Sequence, residues 1–149
     1  MSRVVKRIGV ELNKLKNNPI PGVSVSTVGD AVDQWVVKFD GPVGTPFEGG
    51  ILTLNVQFPE GYPHKAPVVK FNPPAYHPNV ANDGIPCLET TTSKFSPSLP
   101  MSEILKEIVE VIKTPNPSHA NDTEAGKLFV TNPEEYKKKA AEWTKKYAH

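Results

Sequence analysis

Apolar residues recur along this chain with two different periods, and the period switches at identifiable boundaries. Val5, Ile8, Leu12 and Leu15 fall three or four residues apart within residues 3–16, which predicts an amphipathic helix buried along one stripe. Lys6, Arg7, Lys14 and Lys16 lie on its other faces as solvated cations, and Asn17, Asn18 and Pro19 end it. Alternation takes over next. Val23 and Val25 alternate with serines, and Trp35, Val37 and Phe39 with Val36 and Lys38. Leu52, Leu54, Val56 and Phe58 alternate with Ile51, Thr53, Asn55 and Gln57, and Val68 to Phe71 is a short fourth run. Turn residues separate these runs: Gly29 and Asp30, Asp40 to Pro42, Pro59 to Tyr62. Connections this short leave no room for crossover helices, so a four-stranded antiparallel meander with one buried face is expected.

The helical period returns at Met101, Ile104, Leu105, Ile108, Val111 and Ile112, and Thr114 to Pro117 stops it. Asn121 and Glu124 have capping-box spacing for a shorter helix running to about Val130. Asn132, Pro133, Glu134 and Glu135 supply an N-cap, a proline at the first helical position and acids in the first turn. The last helix is expected to bury Tyr136, Ala140, Trp143 and Tyr147 and to expose lysines. Between the meander and these helices, residues 72–100 are proline-rich and lack a period. A loop of this length in a compact domain is uncommon and usually functional. Segregated strands and helices predict an α+β fold in one domain over residues 1–149: N-terminal helix, four-stranded antiparallel meander, long active-site segment, three helices.

Composition narrows the function classes. Sixteen prolines in 149 residues are about twice the average share, and they fall between periodic segments as rigid turns. A net charge of +1 gives no field to draw the chain to nucleic acid or to a membrane. One cysteine excludes an internal disulfide and a cysteine-rich zinc set, which favours a reducing compartment. The first residues form no apolar signal core, and no run approaches the ~18 apolar residues of a membrane span. A cytoplasmic or nuclear protein without metal is expected.

The candidate chemistry lies in the long segment. The His77, Pro78 and Asn79 triplet lies eight residues upstream of the lone Cys87, with Asn82, Asp83 and Gly84 between them. That turn signal folds Asn79 and Cys87 back toward one another. A free cysteine is often a small buried core residue, but Cys87 sits beside a turn and outside any apolar run. As a thiolate it can attack a carbonyl, with the Asn79 amide as a donor to the oxyanion. His77 is either a general base or a brace; Pro78 beside it favours the brace. No base stands at fixed spacing and no helix begins at Cys87. This suits acyl exchange between thioesters better than hydrolysis, and a Cys–His hydrolase would need an orienting acid that neither His77 nor His119 has at fixed spacing.

At this point an ordered set of motifs resembles the ubiquitin-conjugating (E2) enzymes: Trp35, the turn from Gly44 to Gly50, Phe58-Pro59 with Tyr62-Pro63, Tyr76 to Asn79, Gly84 with Cys87-Leu88, Ser96-Pro97, Pro115 to Pro117 and the C-terminal Trp143 to Tyr147. The resemblance covers essentially the whole chain. It implies the E2 (UBC) fold, with Cys87 taking the ubiquitin carboxyl from an E1 as a thioester and passing it to an E3 cysteine or a lysine. It implies that Asn79 stabilises the oxyanion or braces the loop, and that His77 and Pro78 hold that loop. It places E1 contacts at Lys6 and Arg7, and E3 contacts at Arg7, His64, Lys65, Ser96, Pro97 and Ser98. No cofactor is implied, because the E1 spends the ATP.

Several residues depart from the family pattern. His64 stands where a ligase-anchoring phenylalanine is frequent, Phe95 replaces a tryptophan, and Pro86 replaces an aliphatic residue before the cysteine. Lys106, Glu107 and Glu110 occupy positions where small or apolar residues often meet the donor ubiquitin, which predicts weaker docking there. His119 takes the place of an aspartate that orients an attacking lysine, while Glu89 keeps one acid near Cys87. A preference for thiol over amine acceptors is expected. Two alternatives stand beside the ubiquitin reading: a SUMO-like modifier, against which the short loop after Cys87 and the near-neutral charge argue, and a silent E2-variant scaffold, against which Cys87 argues.

Overall fold

The computed structural model describes residues 3–149; Met1 and Ser2, the start of the domain expected over residues 1–149, lie outside the described residues. Helix α1 (Arg3–Asn17) leads into β1 (Val23–Val28), β2 (Ala31–Asp40), β3 (Ile51–Gln57) and β4 (Val68–Phe71). The segment from 72 to 100 follows, then α2 (Met101–Lys113), a 3₁₀ turn (Pro117–His119), α3 (Glu124–Thr131) and α4 (Pro133–Tyr147). All strands are antiparallel to their neighbours, in the order β1-β2-β3-β4. The architecture is the expected α+β arrangement.

Strand register explains why the alternation was legible. Trp35 pairs with Val56, Val37 with Leu54 and Phe39 with Leu52, and Val56 and Leu54 pair onward with Val69 and Phe71. All of these face one core, where each large side chain contributes roughly 1.5–3 kcal/mol on burial. Met101, Ile104, Leu105, Ile108 and Ile112 of α2 join the same core.

Three details differ from the sequence expectation. In α1 the buried positions are Ile8, Glu11 and Leu15, with Leu12 only half-buried. Glu11 tolerates this place because its Oε1 accepts the Met101 N–H at 2.6 Å. The N-cap of α2 is Pro100, which offers no capping side chain, so a carboxylate from another helix meets the positive end of α2. Helix α3 starts at Glu124 behind the N-cap Thr123, whose hydroxyl accepts the Gly126 N–H. Asn121 instead receives Thr123 through its own Oδ1 in a local turn, and Glu124 turns away to Tyr76 and Lys139, so the capping box does not form. In α4 Asn132 caps as expected, but Tyr147 is 48% exposed. Thr144 and Ala148 take the inner face, where the Ala148 carbonyl accepts the Ile51 N–H at 3.2 Å.

Candidate active site

The turn signal before Cys87 produces a short hairpin that hangs on the end of β4. Gly84 N donates to Ala81 O at 2.9 Å, Ala81 N to Ile85 O at 3.0 Å, and Cys87 N to Asn79 O at 2.8 Å. Val80 and Pro86 face each other between the last two bonds. Pro86 therefore sits where no ladder N–H is needed, and the donor it lacks costs the hairpin nothing. Gly84 has φ 89°, and a Cβ there would stand 2.2 Å from the Phe71 carbonyl oxygen. Its glycine is required for both the turn and the close approach to β4, where Phe71 N donates to Gly84 O at 2.8 Å. The hairpin delivers Cys87 to the surface with its thiol free and exposed, between buried Pro86 and Leu88.

Upstream, three residues lock the hairpin to the helices. The His77 ring is 1% exposed. Its Nε2–H donates to Val111 O at 2.8 Å, its Nδ1 accepts the Asn79 N–H at 3.0 Å, and it stacks on Phe47. Burial pushes its pKa down to about 4, against the opposing bond to Val111. Both nitrogens of a neutral ring are thus committed, and neither is free to take a proton. Asn79 is also buried. Its Oδ1 accepts the Asn116 N–H at 2.7 Å and its Nδ2 donates to Asn116 O at 3.0 Å. This geometry ties two loops together and leaves one amide hydrogen for other use. Pro78 is buried, and its carbonyl accepts the Asn121 N–H at 3.0 Å.

Downstream, Cys87 opens onto a groove of about 640 Å³ lined in part by Glu89, Glu107, Glu110, Asn116 and His119. Glu89 is exposed, and the Lys94 ammonium 2.8 Å away holds its carboxyl below the usual range. The acid expected near the thiol is there, but it is paired. His119 lies exposed on the same groove. Asn116 Oδ1 accepts the Ser118 N–H at 2.9 Å, which turns its Nδ2 toward His119 Nδ1 at 3.2 Å. His119 Nδ1 is therefore the acceptor, and in the neutral ring the proton sits on Nε2. Glu107 was expected only to weaken docking of the donor ubiquitin on α2, with no signal of a contact to the Cys87 loop. Yet its carboxylate faces the chain leaving Cys87, accepting from Glu89 N at 2.9 Å, Thr90 N at 2.9 Å and Thr90 Oγ1 at 2.5 Å. Lys106 and Glu110 are exposed, Glu110 on the wall of this groove and Lys106 3.9 Å from Glu103.

A second region gathers the remaining expected residues. Lys6, His64, Lys65, Pro97 and Ser98 are exposed and Ser96 is half-buried. Arg7 is not the solvated cation expected. Its Nη1 donates to Pro97 O at 2.7 Å, its Nη2 to Leu99 O at 3.3 Å and its Nε to Glu11 at 3.2 Å, while its plane covers the Tyr62 ring. The charge is spent on joining α1 to the 96–99 loop, because three acceptors converge where a long side chain can reach them. Among the described residues no group of three or more His, Cys, Asp or Glu could hold a metal ion, and no helix is long and apolar enough to cross a membrane.

Comparison with known proteins sets this geometry in context. A family model described as "Ubiquitin-conjugating enzyme" matches residues 7–144. Among solved structures, the E2 domain of a Toxoplasma gondii ubiquitin-conjugating enzyme superposes with a TM-score of 0.87 at 32% identity, covering 97% of this chain and 98% of that one.

Proposed function

Because the chain belongs to the ubiquitin-conjugating enzyme family, we propose that it carries ubiquitin as a thioester on Cys87, received from an E1 and delivered to an E3 cysteine or a substrate lysine. The observation that carries this reading is the single exposed thiol on a hairpin held from both sides. In the loading step the Cys87 thiolate attacks the carbonyl carbon of the E1–ubiquitin thioester. The tetrahedral intermediate collapses by breaking the bond to the E1 sulfur, which leaves as thiolate. The bond formed and the bond broken are alike, so little activation is needed, consistent with a site that offers no free base. In delivery the acceptor sulfur or nitrogen attacks the same carbon and Cys87 leaves. Asn79 serves mainly to hold the loop, with its remaining amide hydrogen as a candidate oxyanion donor, and His77 and Pro78 brace it. The exposed Lys6, His64, Lys65 and Ser98 are available to E1 and E3 partners, with Arg7 shaping that surface from within.

The acceptor preference follows from His119. A lysine nucleophile arrives as an ammonium and must lose a proton. The acceptor nitrogen of His119 already receives Asn116, and Glu89 is paired with Lys94. Neither group is free to hold or deprotonate the amine, whereas a thiol acceptor needs no such help. Discharge to thiols is therefore favoured over discharge to free lysine.

Incubation with ATP, an E1 and either ubiquitin or SUMO tests the reading. A thiol-sensitive adduct with ubiquitin, absent in Cys87→Ala, is the expected result. An adduct with SUMO alone overturns the choice of modifier, and no adduct with either makes the chain a scaffold.

A further inference from the structure

We infer that Glu107 is a positioning residue for transfer at Cys87: its carboxylate, anchored in α2, accepts three hydrogen bonds from Glu89 and Thr90 and so fixes the chain that leaves the thiol. The inference rests on Cys87 being the acyl carrier.

The upstream side of Cys87 is set by backbone pairing, since its N–H is bound to Asn79 O at 2.8 Å. The downstream side has no strand partner. Leu88 enters the core, and beyond it the N–H groups of Glu89 and Thr90 and the Thr90 hydroxyl all converge on Glu107. The turn that follows closes on this anchored point. Thr92 N and Lys94 N both donate to Glu89 O, at 3.1 and 2.8 Å, and Thr92 Oγ1 donates to Leu88 O at 2.6 Å. One side chain thus organises residues 88–94.

Both Glu107 oxygens are occupied: Oε2 by Glu89, Oε1 by Thr90. The group is not a spare base facing the groove. A carboxylate acceptor makes stronger bonds than a neutral one, which suits a clamp on a loop without a ladder. The clamp is partly exposed, so water can replace it if it is lost, and the fold survives while the position of the Cys87 sulfur spreads. A misplacement of about 1 Å can cost up to ~10²-fold in rate.

The test compares wild type, Glu107→Ala, Glu107→Gln, Thr90→Val and the Glu107→Ala/Thr90→Val double variant. Discharge of the preformed ubiquitin thioester to free cysteine is expected to slow about tenfold in Glu107→Ala, within the range for a misplaced reacting atom. Glu107→Gln keeps the acceptor for Thr90 but sets an amide NH2 against the Glu89 N–H, so it recovers only part of the rate. The double variant is no slower than Glu107→Ala, since Thr90 acts through Glu107. In uncharged protein, amide exchange at Glu89 and Thr90 is expected to rise about tenfold in Glu107→Ala, with the melting temperature little changed. Wild-type discharge in Glu107→Ala, additive effects of the two substitutions, or unchanged exchange at residues 89–90 overturns the inference. Failure of the wild type to form a thioester overturns the acyl-carrier reading itself. Charging without sensitivity to Glu107 overturns only the positioning role.

Discussion

Asn79 and Asn116 hold each other reciprocally: the Asn79 side chain both accepts from and donates to the Asn116 backbone, at 2.7 and 3.0 Å. The loop before the hairpin is thereby fixed to the loop after α2. Asn79→Ala leaves the part-buried backbone N–H and carbonyl of Asn116 without these partners, at a cost of about 1 kcal/mol. Asn79→Asp keeps the acceptor for the Asn116 N–H but sets a second oxygen against the Asn116 carbonyl, so it does not rescue. Urea unfolding alongside single-turnover discharge separates the two roles. A drop in stability with slower discharge is expected. Slow discharge at wild-type stability would assign Asn79 to the oxyanion alone.

His77 makes stability depend on pH. Its folded pKa, about 4, lies below the ordinary 6.5, so between those values the unfolded chain binds the proton first. Stability contributed by the neutral ring is present above pH 6.5 and declines as pH falls toward 4, by up to about 1.4 kcal/mol per unit. Glu89 and Glu124 have carboxyls held below 4.5, so they respond only at lower pH. Unfolding measured from pH 7 to 5 should show the slope in wild type and lose it in His77→Gln. Parallel curves for the two proteins would remove His77 as the source.

Residues with a periodic environment were legible in the sequence, and residues recruited across the fold were not. Register pairs such as Val37 with Leu54 follow from alternation alone, and Asn132 caps α4 with the proline and acids that announce it. Turn chemistry likewise announced the hairpin at Gly84. That a Cβ there would meet Phe71 depends on where β4 ends, which no local pattern encodes. Glu11 read as an ordinary polar helix position and Glu107 only as a charge facing the donor ubiquitin, since their partners, Met101, Glu89 and Thr90, are distant in sequence. Arg7 read as a solvated charge for the same reason: its acceptors, Pro97 and Leu99, lie some ninety residues away. Asn121 misled because Asx turns and helix caps use the same residue types.

Glu11 joins two helices and should be costly to remove. Its carboxylate accepts from Met101 N at the start of α2 and meets Arg7 at 3.2 Å and Lys14 at 3.6 Å. Glu11→Ala strips the helix end of its acceptor and takes the carboxylate from Arg7, which keeps Pro97 O and Leu99 O, costing roughly 2 kcal/mol. Glu11→Gln retains an acceptor and should cost less than half of that. Chemical denaturation of the three proteins measures both. A Glu11→Ala variant as stable as wild type would show that solvent replaces the cap.

His119 carries the sharpest functional prediction, because one substitution should change the acceptor without changing the carrier. The imidazole is exposed and hydrogen-bonds to the Asn116 amide, so His119→Asp is tolerated by the fold. A carboxylate there accepts from the same Asn116 amide through one oxygen and keeps the second for an incoming ammonium, which it attracts and helps to deprotonate. General-base assistance of this kind typically contributes about 10²–10⁴-fold; with the exposed geometry of this groove, a gain of about tenfold or more in discharge to free lysine is expected. Loading from the E1 and discharge to free cysteine should stay within about twofold of wild type, since neither step requires an amine to lose a proton. Single-turnover decay of the purified thioester against each nucleophile gives both rates from one preparation. Rapid lysine discharge by the unaltered protein, or equal acceleration toward both nucleophiles in His119→Asp, would rule out His119 as the determinant of acceptor choice.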